Sequence, residues 1–499
     1  MEHTTLPVAV IGAGPVGLAA AAHLAQRGEP FVVFEAGDSV GASVRDWGHV
    51  RLFSPWQYVI DTAAQTLLEA HGWRAPDGKA YPTGAELVRD YLAPLAALPE
   101  LAPHIHLESR VQAVARQGFD KLKTAGRENA PFALHVKDAA GRETVVLARA
   151  VIDASGTYTA PNPLGANGLL AVGERALARQ LFYGIPDVLH AQHERYAGKR
   201  VLVVGSGHSA FNTLLDLAQL AEQAPDTAIT WALRRGDTQQ LYGGGASDAL
   251  PVRGQLGTRL RAVVDSGTIQ VVTGFRATSA HSTPDGIMVS SDTQTLPPVD
   301  EVIVATGFRP DRSLTSELRL ALDPALESPV ALAPLIDPNV HSCGTVPPHG
   351  VDQLSHPEHG FYTVGMKSYG RAPTFLMLTG YEQVRSIVAA LAGDWDAARN
   401  VALVLPETGV CSSDLNGGGC CTSPASSIRT EATIELLSIT TPTKHIVPLT
   451  VVASTTVALA EACCAPTAQA TCCAPDEKAD CCGADGTGCG CAEGAINYA

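Results

Sequence analysis

Two glycine-spaced turns carry the residue types best suited to chemistry on a bound nucleotide. Gly12, Gly14 and Gly17 have the G-x-G-x-x-G spacing and lie between the apolar run Val8 to Ile11 and an Ala-rich stretch from Pro15 to about Arg27. Gly12 permits a tight turn, Gly14 lets the backbone approach a pyrophosphate, and Gly17 lets helix and strand pack closely. The N–H groups at a helix start then hold the phosphates, and Pro15 suits the first helical position. The next apolar run, Phe31 to Phe34, ends in Glu35, placed to take a ribose 2′-hydroxyl. The second turn, Gly205-Ser206-Gly207-His208-Ser209-Ala210, follows the run Arg200 to Val204, with Ala210 where the third glycine would stand. Its second strand, from Ala228, ends in Arg234 and Arg235 where the first unit has an acid. A guanidinium suits a 2′-phosphate and a carboxylate repels one. The two turns therefore predict an unphosphorylated ribose, as in FAD, at the first and NADPH at the second.

Cysteines form the other reactive set. The chain has 12, of which Cys343 alone precedes residue 411. A nine-residue repeat near the end, CCAPTAQAT, CCAPDEKAD and CCGADGTGC, carries the pairs Cys463/Cys464, Cys472/Cys473 and Cys481/Cys482. Cys420/Cys421 is an earlier pair, and Cys489 and Cys491 end the series. Zinc sites favour C-x₂-C, because two intervening residues let both sulfurs face one tetrahedral ion. Adjacent thiolates suit a larger soft centre such as trivalent arsenic, mercury or copper(I). A redox-shuttle tail and a low-complexity extension without function are the alternative readings. Flavin-dependent disulfide reduction needs two cysteines close together in the catalytic body, and the sequence before residue 411 does not supply them. Cys343 reads as a small buried hydrophobe rather than a nucleophile.

Composition bounds the partners. At 499 residues the chain is long enough for two or three domains, and its 45% hydrophobic and 17% charged content fits a soluble α/β enzyme. The formal net charge of −15 makes nucleic acid an unfavourable partner. The first apolar run belongs to the nucleotide turn, with no basic leader before it, and no stretch has the roughly 18 apolar residues of a membrane span. The expected location is the cytoplasm.

These residues must be positioned by a doubly wound α/β architecture with two Rossmann-like dinucleotide-binding domains, followed by a Cys-rich, disordered tail. The aromatic segment 36–58 follows the second strand, and Arg45, Trp47, Arg51, Ser54 and Trp56 are predicted to line a flavin or substrate cavity. Helices are expected over Thr62 to Ala70 and Gly84 to Ala97, and a strand over His104 to Val114. Phe132 to Val136 and Thr144 to Leu147 read as a hairpin. Ala150 to Asp153 reads as a buried strand ending in small residues, Gly156 among them, which allow close approach to a nucleotide. The Pro/Gly/Asn-rich stretch 160–173 marks a domain boundary. The expected division is 1–160 and 300–404 for the two parts of an FAD domain, 161–299 for an NADPH domain, and 405–499 for the tail.

The ordered set Gly12/Gly14/Gly17, Asp153 to Gly156, Gly205/Gly207, Arg234 and Thr306/Gly307 resembles the flavin-containing monooxygenase branch of FAD/NADPH enzymes, over about residues 6–395. The resemblance implies an FAD domain with an NADPH domain inserted, with Thr306 and Gly307 on the returning crossover. It also implies hydride passage from NADPH to the flavin, and a flavin hydroperoxide that oxygenates a soft nucleophile. In related folds a helix starting near residue 376 sets its positive end against the flavin, with Thr374 as N-cap. Arg51, Lys367 and Tyr369 are the catalytic candidates, and Arg371 a further possible contact. The family's F-x-G-x-x-x-H motif is loosened here, since His190 lies two residues too far from Gly184, so no role passes to His190 or His193. The run HPEHGFYTVGMKSYGRAPTFLMLTGYEQVRS and the paired-cysteine tail are similar to flavin-binding monooxygenases of actinobacterial arsenic-resistance clusters. That similarity implies an arsenical substrate, with tail thiols collecting a soft metalloid near the flavin. Two other readings stay open: an NADPH-dependent flavin reductase that passes electrons to a tail-bound metal or thiol, and a metalloid-sequestering protein on a flavoprotein scaffold.

Overall fold

Four-residue apolar runs too short for helices make the centre of the first sheet. In the computed structural model, which describes residues 6–238, 241–242, 251–340, 346–373 and 375–403, Val8–Ile11 (β1) and Phe31–Phe34 (β2) pair in parallel. Ile105–His106 (β3), Ala150–Asp153 (β7) and Phe361–Thr363 (β15) complete a parallel sheet in the order β15-β7-β1-β2-β3. The second sheet repeats the plan. Leu181–Tyr183 (β8), Arg200–Val204 (β9), Ala228–Ala232 (β10), Ile269–Val272 (β11) and Glu301–Val304 (β14) stand in the order β11-β10-β9-β14-β8, again all parallel. In each sheet the first strand of the unit, β1 or β9, is flanked on both sides by strands that follow it in the chain, β2 and β7 or β10 and β14. The carboxyl end of such a strand is the switch point where doubly wound sheets open a crevice for ligands.

Small side chains explain the packing behind the first turn. Helix Pro15–Gln26 buries Val16 through Ala22 and Leu24, and its alanines let helices Thr62–Ala70 and Met377–Leu391 approach closely. An antiparallel sheet of Arg110–Arg116 (β4), Phe132–Lys137 (β5) and Glu143–Ala148 (β6), the expected hairpin included, forms a separate layer. Ala277–Thr283 (β12) and Gly286–Ser291 (β13) form a two-stranded ribbon.

Three local expectations change. The helix expected over Gly84 to Ala97 runs from Gly84 to Ala96 but contains a π turn at Val88–Leu92. Pro94 has no N–H to offer the carbonyl of Asp90, and the Trp73 indole N–H takes that oxygen instead at 2.9 Å. The strand expected over His104 to Val114 splits into β3 and β4 around Glu108, whose φ is 49°. There Glu108 N donates to Gly37 O and Ser109 N to Glu35 O, both at 2.8 Å, which turns the chain away from the first sheet. The segment from residue 300, expected to open the second part of the FAD domain, begins with β14, which lies inside the second sheet between β9 and β8. Its residues match Val201 to Val204 in parallel register, so the return to the first sheet starts only after Val304.

One buried charge cluster fastens the antiparallel layer to the edge of the first sheet. Glu358, 2% exposed, accepts from Arg116 Nε at 2.8 Å, from Arg127 Nη1 at 2.6 Å and from Arg319 N at 2.9 Å. Burial pushes its carboxyl up, but the Arg319 N–H and the two guanidiniums outweigh burial and hold it below the usual glutamate range. A carboxyl depressed in the folded state contributes stability above its unfolded value, near pH 4.3, which is lost as the pH falls toward the folded value. Glu358→Gln is therefore expected to cost about 3 kcal/mol at neutral pH, and to remove part of the acid destabilisation seen in the parent below about pH 4.3. Urea unfolding across that pH range measures both effects.

Candidate functional site

The two switch points open into one cavity of about 1450 Å³, reached by the turn after β1 and by the turn after β9. Its shape depends on where glycines leave room. A Cβ on Gly14, Gly156 or Gly207 would meet nothing within 4 Å, and all three line the cavity. A Cβ on Gly12 would lie 2.9 Å from Ala154 O, and one on Gly205 2.2 Å from Ala305 O. Each turn is thus pressed against the next strand on one side and open on the other. Gly17 supports the first turn from behind, where a Cβ would lie 1.9 Å from Gly12 O.

Both helices that follow begin without a side-chain cap and without an acid in the first turn. Their first N–H groups and positive dipole ends therefore face the cradle, as a diphosphate requires. Glu35 lines the cavity, and its carboxylate also accepts from Ala13 N at 2.7 Å and Gly37 N at 2.8 Å. Those bonds tie the phosphate turn to the end of β2 while lone pairs remain for a ribose hydroxyl. Arg234 lines the far end and donates to Ala166 O at 3.3 Å. The open cradle at Gly14, Gly156 and Gly207, the acid at one ribose position and the guanidinium at the other fit FAD and NADPH.

The two connections between the sheets are bonded to each other. Asn162 N donates to Gly307 O at 2.9 Å, Arg309 N to Ala160 O at 2.9 Å, Asn162 Nδ2 to Thr306 O at 3.1 Å, and Thr306 Oγ1 to Asn162 O at 3.0 Å. Aromatic pairs stand in the cavity wall nearby. Tyr158 and Phe308 have ring centroids 5.0 Å apart, and Phe53 packs on His208 at 5.3 Å. Burial, with the Asp46 carboxylate adding to it, pushes the Tyr158 phenol up to about 12.

Of the residues singled out in the sequence, Gly12, Gly14, Pro15, Glu35, Trp47, Gly156, Gly205, Gly207, Ser209, Arg234, Thr306, Gly307, Lys367 and Arg371 come together around this cavity. Others do not. Arg51 lies on the surface, donating to Tyr81 O, with Glu86 3.9 Å away. Tyr369 is 1% exposed, packed between His349 and Phe375, and burial pushes its phenol up, so it lies outside the cavity wall as a core residue. Arg235 is not among the lining residues, and its carbonyl accepts from Gly274 N. Arg45, Ser54 and Trp56 also lie outside the wall, and Trp56 is buried in the core. Thr374, Cys343 and the tail cysteines Cys420, Cys421, Cys463, Cys464, Cys472, Cys473, Cys481, Cys482, Cys489 and Cys491 lie outside the described residues. Among the described residues no group of three or more His, Cys, Asp or Glu side chains could hold a metal ion. Sequence reasoning missed Phe53, Tyr158 and Phe308. Each lies in an irregular segment, where no periodicity tells a cavity-facing aromatic from a core anchor.

Gly14→Ala and Gly17→Ala separate the cradle from its support. Gly14→Ala is expected to cost no more than about 1 kcal/mol, the penalty of alanine at an N-cap, yet weaken FAD binding about tenfold or more. Gly17→Ala is expected to cost about 3 kcal/mol before any ligand is added. Thermal unfolding without ligand and FAD titration distinguish the two.

Comparisons with known proteins agree with this geometry. The family model described as pyridine nucleotide-disulphide oxidoreductase matches residues 9–330. A ferredoxin–NADP reductase of Gluconobacter oxydans is 28% identical over 315 residues, covering 62% of this chain and 73% of that protein. The indole-3-pyruvate monooxygenase YUCCA8 of Oryza sativa subsp. indica is 30% identical over 219 residues, covering 42% of this chain, which therefore spans 45% of that relative's length. Among solved structures, the bacillithiol disulfide reductase Bdr of Bacillus cereus aligns with a TM-score of 0.57 at 18% identity, over 78% of this chain and 99% of that one. The FAD-bound cadaverine monooxygenase DfoA of Erwinia amylovora aligns at 0.58 and 12%, over 82% and 100%. These two likenesses establish the shared fold. The chain belongs to the pyridine nucleotide-disulphide oxidoreductase family, an FAD- and NADPH-dependent flavoprotein family, and is an oxidoreductase of that kind.

Proposed function

We propose that this protein is an FAD- and NADPH-dependent monooxygenase that uses O₂ to oxygenate a small soft nucleophile, an arsenical being the first candidate. The observation that carries the reading is one cavity that joins both nucleotide cradles and has no cysteine among the described residues lining it. Only Cys343 precedes residue 411, so the body is not supplied with the dithiol that disulfide reduction needs. The partial likeness to an indole-3-pyruvate monooxygenase points the same way. When bound, NADPH supplies a hydride and FAD the two-electron carrier that reacts with O₂.

The chain's own residues bind and orient. The turn Gly12 to Gly17 and the start of helix Pro15–Gln26 hold one diphosphate, and Glu35 takes a ribose hydroxyl. Gly205, Gly207 and Ser209 hold the other, with Arg234 on the 2′-phosphate. Tyr158, Phe308 and Phe53 restrict water between the two cradles. Residues 1–160 with 305–404 serve FAD and 161–304 serve NADPH, since β14 pairs within the second sheet. The tail from residue 405 binds a soft metal or metalloid through its adjacent thiols. Among the described residues no helix is long and apolar enough to cross a membrane, in keeping with a cytoplasmic enzyme.

A second reading, an NADPH-dependent flavin reductase delivering electrons to a tail-bound metal or thiol, is favoured by the ferredoxin–NADP reductase relative, which matches over a longer span. Full-length protein with FAD, NADPH and a trivalent organoarsenical separates the two. Monooxygenation requires O₂ uptake equal to NADPH oxidised and one ¹⁸O from labelled O₂ in the product. Electron delivery that proceeds without O₂ and leaves the arsenical unlabelled supports the reductase. In the same assay Arg234→Ala is expected to lower kcat/KM for NADPH about 10- to 100-fold, with little change for NADH, as expected for one charge-assisted contact.

The tail's role is tested in the full chain by replacing Cys463, Cys464, Cys472, Cys473, Cys481 and Cys482 with serine. Most bound equivalents of trivalent arsenic should be lost while FAD content is unchanged. Equal arsenic stoichiometry in parent and variant would remove metalloid capture from the proposal.

A further inference from the structure

Lys367 is among the largest fully buried side chains, 1% exposed, in the 3₁₀ turn Gly365–Tyr369 that follows β15. Its Nζ lies 2.8 Å from Asp153 Oδ2 and donates to Ser155 Oγ at 2.9 Å. Ser155 Oγ donates in turn to Asp153 Oδ1 at 2.6 Å, and Ser155 N donates to the same oxygen at 3.1 Å. Asp153 ends β7 opposite Ile11, and Ala154 is the residue against which Gly12 is pressed. The ammonium therefore fastens the strand end that backs the first cradle.

The order of these groups gives the pair a direction. Lys367 and Ser155 line the cavity, whereas Asp153 is fully buried and is not among the lining residues. The ion pair is a dipole whose positive end bonds to Ser155, on the cavity side, and whose negative end is the buried carboxylate. Burial pushes the Asp153 carboxyl up, but the Lys367 ammonium and the Ser155 hydrogen bonds outweigh burial and hold it below its usual range, so Asp153 is a carboxylate at neutral pH. A second cation, Arg312, donates to Lys367 O at 3.2 Å and to Thr363 Oγ1 at 3.4 Å from the same side. Asp311, a further acid acting on Lys367, lines the same cavity as an exposed carboxylate and opposes the positive potential of Lys367 in part, its charge screened more than that of the buried ammonium.

We infer that Lys367 is a positioning residue for the redox cofactor of the first cradle. It holds the strand end Asp153 to Gly156 in place and presents a positive potential that favours the electron-rich, reduced form of FAD over the oxidised form. The inference rests on the FAD reading proposed above. It needs no contact between Lys367 and the reacting atoms, because a charge screened by little solvent acts through space.

Full-length protein reconstituted with FAD is compared with K367R, K367M and K367M/D153N. The readouts are the midpoint potential, the dissociation constants of oxidised and reduced FAD, and the absorption spectrum of the bound flavin. In K367M the preference should move at least tenfold toward oxidised FAD, about 30 mV lower for a two-electron couple. K367R should return the ratio toward that of the parent. K367M/D153N removes the pair as a unit, leaves no buried carboxylate unpaired, and should still move the ratio in the same direction by a smaller factor. If K367M takes up no FAD, the double variant carries the measurement. An unchanged ratio in the double variant with FAD bound overturns the inference. A parent protein that binds no FAD overturns the functional reading beneath it.

Discussion

Close backbone contact at the end of β1 is the constraint on which the rest of the site depends. Gly12 sits against Ala154 on one side, and Gly17 sits against Gly12 O on the other. No side chain larger than hydrogen fits at either place, so strand, turn and helix are locked at one spacing. That spacing is what leaves the helix start open and uncapped toward the cavity. Ala-rich helix Pro15–Gln26 extends the same economy outward, since small side chains bring its neighbours near enough to bury it. Charge then secures what packing has set. Glu35 ties the turn to β2 through two backbone N–H groups, and Lys367 secures the end of β7 from beneath.

A second constraint governs how the two nucleotide units face one another. The outgoing and returning connections run side by side and bond through Asn162, Thr306, Gly307 and Arg309. Two bonded connections are harder to twist than two separate linkers, and aromatic residues on each, Tyr158 and Phe308, pack together beside them. The cavity is continuous because the connections leave each sheet at its switch point. Electron transfer between two bound nucleotides requires that continuity, whatever accepts the electrons afterwards.

Disulfide reductases and monooxygenases share this architecture, so the fold alone does not select the reaction. Selection falls to what faces the cavity between the cradles. Here aromatic and apolar residues line that wall around a few charges, and a buried ammonium stands behind it on Asp153 and Ser155. The paired thiols lie far along the sequence, after residue 411, instead of beside the flavin turn. That separation of thiol and flavin in the chain is the main reason to favour oxygenation over in-body dithiol exchange.

The nucleotide units were legible in the sequence because their physics is local. Glycine spacing, short apolar runs and the charge at the end of the second strand all act within about thirty residues, so composition and order suffice to identify them. Tertiary structure decided the roles of residues whose partners are distant in sequence. Lys367 reads as a candidate catalyst until Asp153 and Ser155 are found against it, and Tyr369, two residues on, proves to be core. Arg51 and Arg235 looked as well placed as Trp47 and Arg234, yet a turn of backbone puts one of each pair at the cavity and the other away from it. Pro94 put a π turn into a helix whose pattern was regular, and β14 joined the sheet whose register it matched. In each case the deciding contact spans a loop or a sheet, and no local pattern in the chain encodes it.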